Sequence, residues 1–254
     1  MTGFLIAAIL GWAGGALVNY LADVLPARRR LAPPFCLECQ HSQAWANYLF
    51  WPRRCPACGR RRPWRTWLVE LLFTLATLWL WFSPPVRLSF PAGFVLLVYF
   101  AVITVIDIEH RLILHPTSLA GAVLGLGVGI PLHGVWRTLA GGLAGFASMF
   151  LLYLLGFLFL RLLKRRSAAE GDEALGFGDV MLGGVLGLIL GWPGIFGSLF
   201  LTILLAGAAS LVYLVAMIVA RKYSPALAIP YGPYLILGAV LLLYFPALLV
   251  GWAR

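Results

Sequence analysis

Two aspartates carry the chemistry that this sequence makes available. Asp107 ends the apolar run 94–106, just before Glu109, His110 and Arg111. Asp179 closes the tetrapeptide Gly176-Phe177-Gly178-Asp179, where a charged stretch, 161–173, gives way to the apolar run 180–190. A carboxylate at the mouth of a membrane segment is expensive to place there, and marks a functional site with a partner. The two glycines let the backbone turn tightly and let another chain come close. Two carboxylates held together cannot both ionise easily, so such a pair shares one proton. That arrangement suits peptide hydrolysis: one carboxylate acts as base on a water while the other, protonated, donates to the carbonyl oxygen. Ser118, Ser148, Ser167, Ser198 and Ser210 lie in no nucleophile motif. One aspartate alone reads as a helix cap or a counter-charge to Arg111 or Lys164. Two at matched depth, one of them in G-x-G-D, favour catalysis.

All four cysteines fall in one loop, as Cys36-Leu37-Glu38-Cys39 and Cys55-Pro56-Ala57-Cys58. Two C-x-x-C knuckles at this spacing suit four thiolates around one tetrahedral zinc, with no ligand position left open, so the role is structural. Disulfides or free thiols are the alternative, of which a reducing cytoplasm disfavours the disulfides, and His41 is a competing candidate ligand. Arg53, Arg54, Arg60, Arg61 and Arg62 flank the knuckles. Between two membrane segments these arginines are expected to face anionic lipid headgroups or a partner rather than nucleic acid.

The elements that must position these groups are membrane helices. Of 254 residues, 62% are hydrophobic and 11% charged, far from the usual globular mix. Eight spans of the length a bilayer needs are expected, near 3–22, 66–82, 90–107, 116–131, 138–160, 176–192, 195–220 and 230–251. The fourth and sixth are short, which implies tilt or partial burial. The segment 4–21 has no basic residue before it and reads as a membrane helix rather than a cleaved signal. With this count, 16 of the 19 Lys and Arg residues fall in alternate loops on one side. By the positive-inside rule that side is cytoplasmic, with both termini outward. The nine acids, Asp107 and Asp179 included, lie on or one turn inside the same side. Proline pairs and breakers such as Pro33-Pro34, Pro84-Pro85, Trp192-Pro193 and Ser224-Pro225 fall near the borders, and Trp79, Trp81, Trp136, Trp192 and Trp252 gather at the outer boundary. The fold expected is an all-α polytopic membrane protein, with about eight transmembrane helices and a small cytoplasmic zinc-ribbon-like insertion.

With these motifs in order, the chain resembles the bacterial prepilin peptidases, GxGD-type intramembrane aspartic proteases. Ile106-Asp107-Ile108-Glu109 followed by Gly176-Phe177-Gly178-Asp179 carries the likeness. So do Gly14-Gly15-Ala16-Leu17-Val18-Asn19 with Leu25-Pro26, the two C-x-x-C pairs, Trp67-Leu68-Val69-Glu70, and Ile229-Pro230-Tyr231-Gly232-Pro233. The resemblance implies a first transmembrane helix (1–22), a cytoplasmic tetracysteine loop (23–65) and a transmembrane aspartic peptidase core (66–254). It implies cleavage of the basic leader from type IV prepilins or pseudopilins of pilus or type II secretion systems, at the cytoplasmic face of the inner membrane. N-methylation of the new terminus from S-adenosylmethionine follows in many members. Carried over, Asp107 and Asp179 are the catalytic dyad, and Gly176 and Gly178 shape the strand-like backbone beside the scissile bond. Pro230, Gly232 and Pro233 lie near the site, Asn19 and Glu70 are candidates for methyl transfer, and Cys36, Cys39, Cys55 and Cys58 hold zinc. The partners implied are the prepilin and the lipid bilayer, with no nucleic acid.

The substrate's apolar helix is expected to enter laterally between spans, its basic leader near Glu109, Glu170, Asp172 and Glu173. Those acids equally suit neighbouring Arg161, Lys164, Arg165 and Arg166. Three other readings stay open: a peptidase without methylation, a transporter using the acids as an ion path, and a scaffold of a pilus or secretion machine. The acids' position at one face, and the lack of an evident inverted repeat, speak against transport.

Overall fold

A computed structural model describes residues 2–50, 52–85, 87–163, 176–220 and 230–245. Expectations placed on 164–175, on Ser224-Pro225, on Ile229 and on Trp252 fall outside them. Among the described residues every regular element is a helix, nine in all. Six are long and apolar enough to cross a membrane, and two shorter apolar helices, Phe177–Leu190 and Gly232–Tyr244, stand where the sixth and eighth spans are expected. The fold is therefore all-α and polytopic. The helices form two compact units, Met1–His110 and Arg111–Arg254.

The first unit contains α1 (Thr2–Arg28), α2 (Trp45–Leu49), α3 (Arg65–Phe82) and α4 (Phe90–His110). α1 packs along α3 and also meets α4. The approach to α3 is close because Gly15 faces it: a Cβ there would lie 2.8 Å from the Glu70 Cα. Small residues at such crossings replace the hydrophobic drive that lipid removes. α1 continues six residues beyond its expected end at 22, through Pro26, to Arg28. Proline is tolerated in a membrane helix where neighbours satisfy the freed carbonyl.

The second unit contains α5 (His115–His133), α6 (Val135–Leu163), α7 (Phe177–Leu190), α8 (Gly194–Val219) and α9 (Gly232–Tyr244). α7 is its hub, packing against the other four. Fourteen residues give α7 a length of about 21 Å, short of a hydrocarbon core of about 30 Å. Its apolar residues run all round the helix, the pattern of an element sheathed by others, and Val180, Leu182, Val185, Leu186, Ile189 and Leu190 are buried.

The α6–α7 contact is made through backbone on both helices. Gly141 and Gly145 on α6 meet Gly187 and Gly183 on α7, the same four-residue interval on both helices. A Cβ at Gly187 would lie 2.1 Å from the Gly141 carbonyl oxygen, and one at Gly145 would lie 2.2 Å from that of Gly183. This is G-x-x-x-G packing from both sides. It fixes the register and rotation of α7, and so the depth of the residues at its start.

Candidate active site and metal centre

Asp179 sits in the first turn of α7. Gly176 is the N-cap, extended at φ −73° and ψ 142°, and the Asp179 N–H donates to the Gly176 carbonyl at 3.0 Å. Negative charge is favoured at this end of a helix, where backbone N–H groups are unpaired and the dipole is positive. The glycines differ from the strand-like pair that the resemblance implies. Gly176 is extended, but Gly178 is helical and serves close approach: a Cβ there would lie 2.7 Å from the Ile113 Cβ. At Gly176, among the described residues, a Cβ would meet Asp179 Oδ2 and the Gly178 nitrogen at ordinary distances of 3.6 and 4.0 Å. Gly178→Ala is therefore expected to push the first turn off Ile113 and slow catalysis about 10- to 100-fold, with Gly176→Ala within about threefold. Cleavage rates of the two purified variants check this, and equal losses would refute it.

Pro230, Gly232 and Pro233 frame the start of α9, which packs on α7. Tyr231, the N-cap of α9, is close enough to Asp179 for the phenol to feel its charge. The G-F-G-D and P-Y-G-P motifs thus meet within one unit. Tyr231 was legible only as a member of its motif.

Asp107 belongs to the other unit, in the last turn of α4, 5% exposed. Helix C-termini disfavour negative charge, and this turn holds Glu109 as well. The compensation comes from α3. Arg65 donates from Nη1 to Glu109 Oε2 at 2.6 Å and from Nη2 to Asp23 Oδ1 on α1. Asp23 also accepts from Arg62 Nη2, and from the Tyr48 hydroxyl at 2.6 Å. Burial and the Asp23 charge push the Tyr48 phenol up, so it stays a donor. Glu109 is thus paired with Arg65, a partner outside the group of basic residues expected for it. Glu170, Asp172 and Glu173 lie outside the described residues.

The arginines beside the knuckles also depart from expectation. Arg53 and Arg62 turn inward, their side chains only 4% and 11% exposed, to meet Glu70 and Asp23. A buried acid with no counter-charge is costly, and the loop supplies that charge. Arg54, Arg60 and Arg61 remain exposed.

The four cysteine sulfurs lie within 4.8 Å of one another, His41 standing apart from the cluster. Cys36 and Cys58 are 3.7 Å apart and Cys39 and Cys55 3.6 Å, too far for disulfides. A tetrahedron of Zn–S bonds of about 2.3 Å has edges of about 3.8 Å, so the donor set fits zinc. The knuckles are built alike. The N–H of Cys36 donates to His41 and that of Cys55 to Arg60, and Gln40 and Gly59 turn at φ 59° and 69°. The Cys58 N–H holds the Cys55 thiol down at about 6. The Arg60 N–H favours the Cys58 thiolate, but partial loss of hydration and the neighbouring thiols push that thiol up to about 12. A divalent cation resolves that conflict by stabilising all four thiolates. One zinc per chain is expected by metal analysis, and Cys36→Ser or Cys58→Ser should lose it.

Asn19 and Glu70 lie along the α1–α3 seam, both buried. Asn19 Nδ2 donates to the Thr66 carbonyl at 3.0 Å, and Glu70 pairs with Arg53 at 3.0 Å. A cavity of ≈ 260 Å³ in the same unit is lined by Asp23, Phe35, Glu38, Tyr48, Arg61 and Arg62, among others. Two of the metal-centre cysteines, Cys36 and Cys55, also line it.

Membrane-spanning helices, an aspartate at the mouth of a glycine-fixed helix and a tetracysteine centre define a polytopic membrane protein of the G-x-G-D peptidase class. Residues 94–214, which include both aspartates, match the type IV leader peptidase family. The prepilin leader peptidase/N-methyltransferase of Pectobacterium carotovorum subsp. carotovorum is 30% identical over 91% of this chain and 89% of its own length. Those of Klebsiella pneumoniae and Pseudomonas putida are each 30% identical over 79% of this chain, and 89% and 67% of their own lengths. No solved structure matches. The chain belongs to the type IV leader peptidase family.

Proposed function

We propose that the protein cleaves the basic leader from type IV prepilins or pseudopilins at the cytoplasmic face of the bacterial inner membrane, with Asp107 and Asp179 as the catalytic pair. The observation that carries this reading is the placing of Asp179 at the start of a helix held by backbone contact, in a family whose matched segment spans both acids. One carboxylate takes a proton from water, whose oxygen attacks the scissile carbonyl carbon. The other gives its proton to the carbonyl oxygen. Collapse of the tetrahedral species breaks the C–N bond, and the amine leaves with a proton from the pair. The metal centre is structural. An apolar groove of ≈ 890 Å³ along α7, lined by Leu119, Ala122, Leu139, Leu143, Phe146 and Leu188 among others, supports lateral entry of the substrate's apolar segment.

The second step is methylation of the new N-terminal amine. S-adenosylmethionine would supply the methyl group, with exposed Arg61 at the cavity suiting its carboxylate. A peptidase without methylation is the second reading, favoured by the structural bonds that occupy Asn19 and Glu70. Mass spectrometry of prepilin incubated with the purified protein, with and without S-adenosylmethionine, decides. Cleavage after the leader with an added methyl supports the full reading, and cleavage alone supports the second. No cleavage sinks both.

A further inference from the structure

We infer that Arg65 is a positioning residue for hydrolysis: its guanidinium clamps Glu109, and thereby the Asp107-bearing last turn of α4, to buried Asp23 on α1. The inference rests on the reading of Asp107 as catalytic.

Arg65 opens α3 and bonds two carboxylates on two other helices through separate nitrogens. A planar fork of this kind fixes direction as well as distance. Asp23 is a firm anchor. Its side chain is 3% exposed and also accepts from Arg62 and Tyr48. Glu109 is the opposite case. Its side chain is 36% exposed, in a turn whose carbonyls lack intrahelical donors and whose dipole repels its charge. Left alone, this turn has electrostatic reason to fray. Asp107 is two residues earlier in the same turn, about 3 Å away along the axis. Holding Glu109 therefore holds Asp107.

A half-wet ion pair adds little to global stability. Its value lies in geometry, because reacting groups tolerate little displacement. The expected signature is thus a loss in kcat with the fold intact.

The test compares full-length, zinc-loaded wild type with Arg65→Gln, Arg65→Lys, Glu109→Gln and the Arg65→Gln/Glu109→Gln double variant. kcat and KM are measured on a prepilin, with Asp107→Asn as control. Arg65→Gln and Glu109→Gln should each lower kcat about 10- to 100-fold, with KM within about threefold. The double variant should be no slower than the worse single one, because both break one clamp. Arg65→Lys should recover part of the loss, since one ammonium serves one carboxylate at a time. Wild-type kcat in both single variants overturns the inference. So does a loss confined to KM, which would make Glu109 a leader-binding group, and so do additive losses. Glu109→Gln leaves Asp23 its partners, so it decides the matter even if Arg65→Gln fails to fold. If Asp107→Asn cleaves normally, the underlying reading has failed. If that variant is inactive while Glu109→Gln is normal, only the clamp has failed.

Discussion

Replacing either Asp107 or Asp179 by Asn is expected to lower kcat for prepilin cleavage by about 10²- to 10⁴-fold. Asparagine keeps the shape and much of the hydrogen bonding, so the fold and zinc content should not change. It removes the ability to exchange a proton, which both carboxylates must do in one turnover. The two losses should not add: once either member is gone the pair cannot act, and the double variant should resemble a single one. Cleavage by folded single variants, read by mass spectrometry of the product terminus, is the check. Survival of activity in either would remove the paired-carboxylate mechanism and favour a scaffold or transport role.

Arg53→Met is expected to be the most destabilising single change in the first unit. Glu70 would keep its buried place without the guanidinium that now lies 3.0 Å away. Breaking one side of a buried pair costs about 3–5 kcal/mol, whereas replacing both partners by apolar groups is often neutral or better. Arg53 also stacks over the Trp67 ring at 4.4 Å, an attraction that methionine keeps only in part. Arg53→Met/Glu70→Leu should therefore recover most of the lost stability in thermal unfolding. If the single variant melts with wild type, the pair is not structural. Methylation by the double variant then separates two roles for Glu70. A stable double variant that still methylates makes Glu70 structural, and one that only cleaves makes it part of the transfer site.

Much of this architecture is legible before any coordinates. The apolar runs give the helices, because a bilayer sets their length, and the C-x-x-C pairs give the metal centre, because four thiolates at that spacing have few other uses. The asymmetry of the glycines is not legible. Gly176 and Gly178 look equivalent in sequence, and only the approach of Ile113 separates them. Nor is the inward turn of Arg53 and Arg62. A basic residue in a loop reads the same whether it faces solvent or a buried acid 17 residues away, as Arg53 does. The pairing of Glu109 is hidden for the same reason, its partner Arg65 lying 44 residues off. α1 overruns its expected end because a proline signal is local, while the contacts that tolerate Pro26 are not.

The glycine seam between α6 and α7 also bears on how this protein can change over generations. Where two helices touch through side chains, sequences drift by small trades, a leucine shrinking as its neighbour grows. Gly141, Gly145 and Gly187 offer no such trade, since even one methyl group would sit 2.1–2.4 Å from a backbone atom of the opposite helix. There is no graded path away from that contact. The seam can only persist or be lost whole, whereas the lipid-facing surface of α8, where Leu211 and Val212 are 61% and 70% exposed, is free to wander.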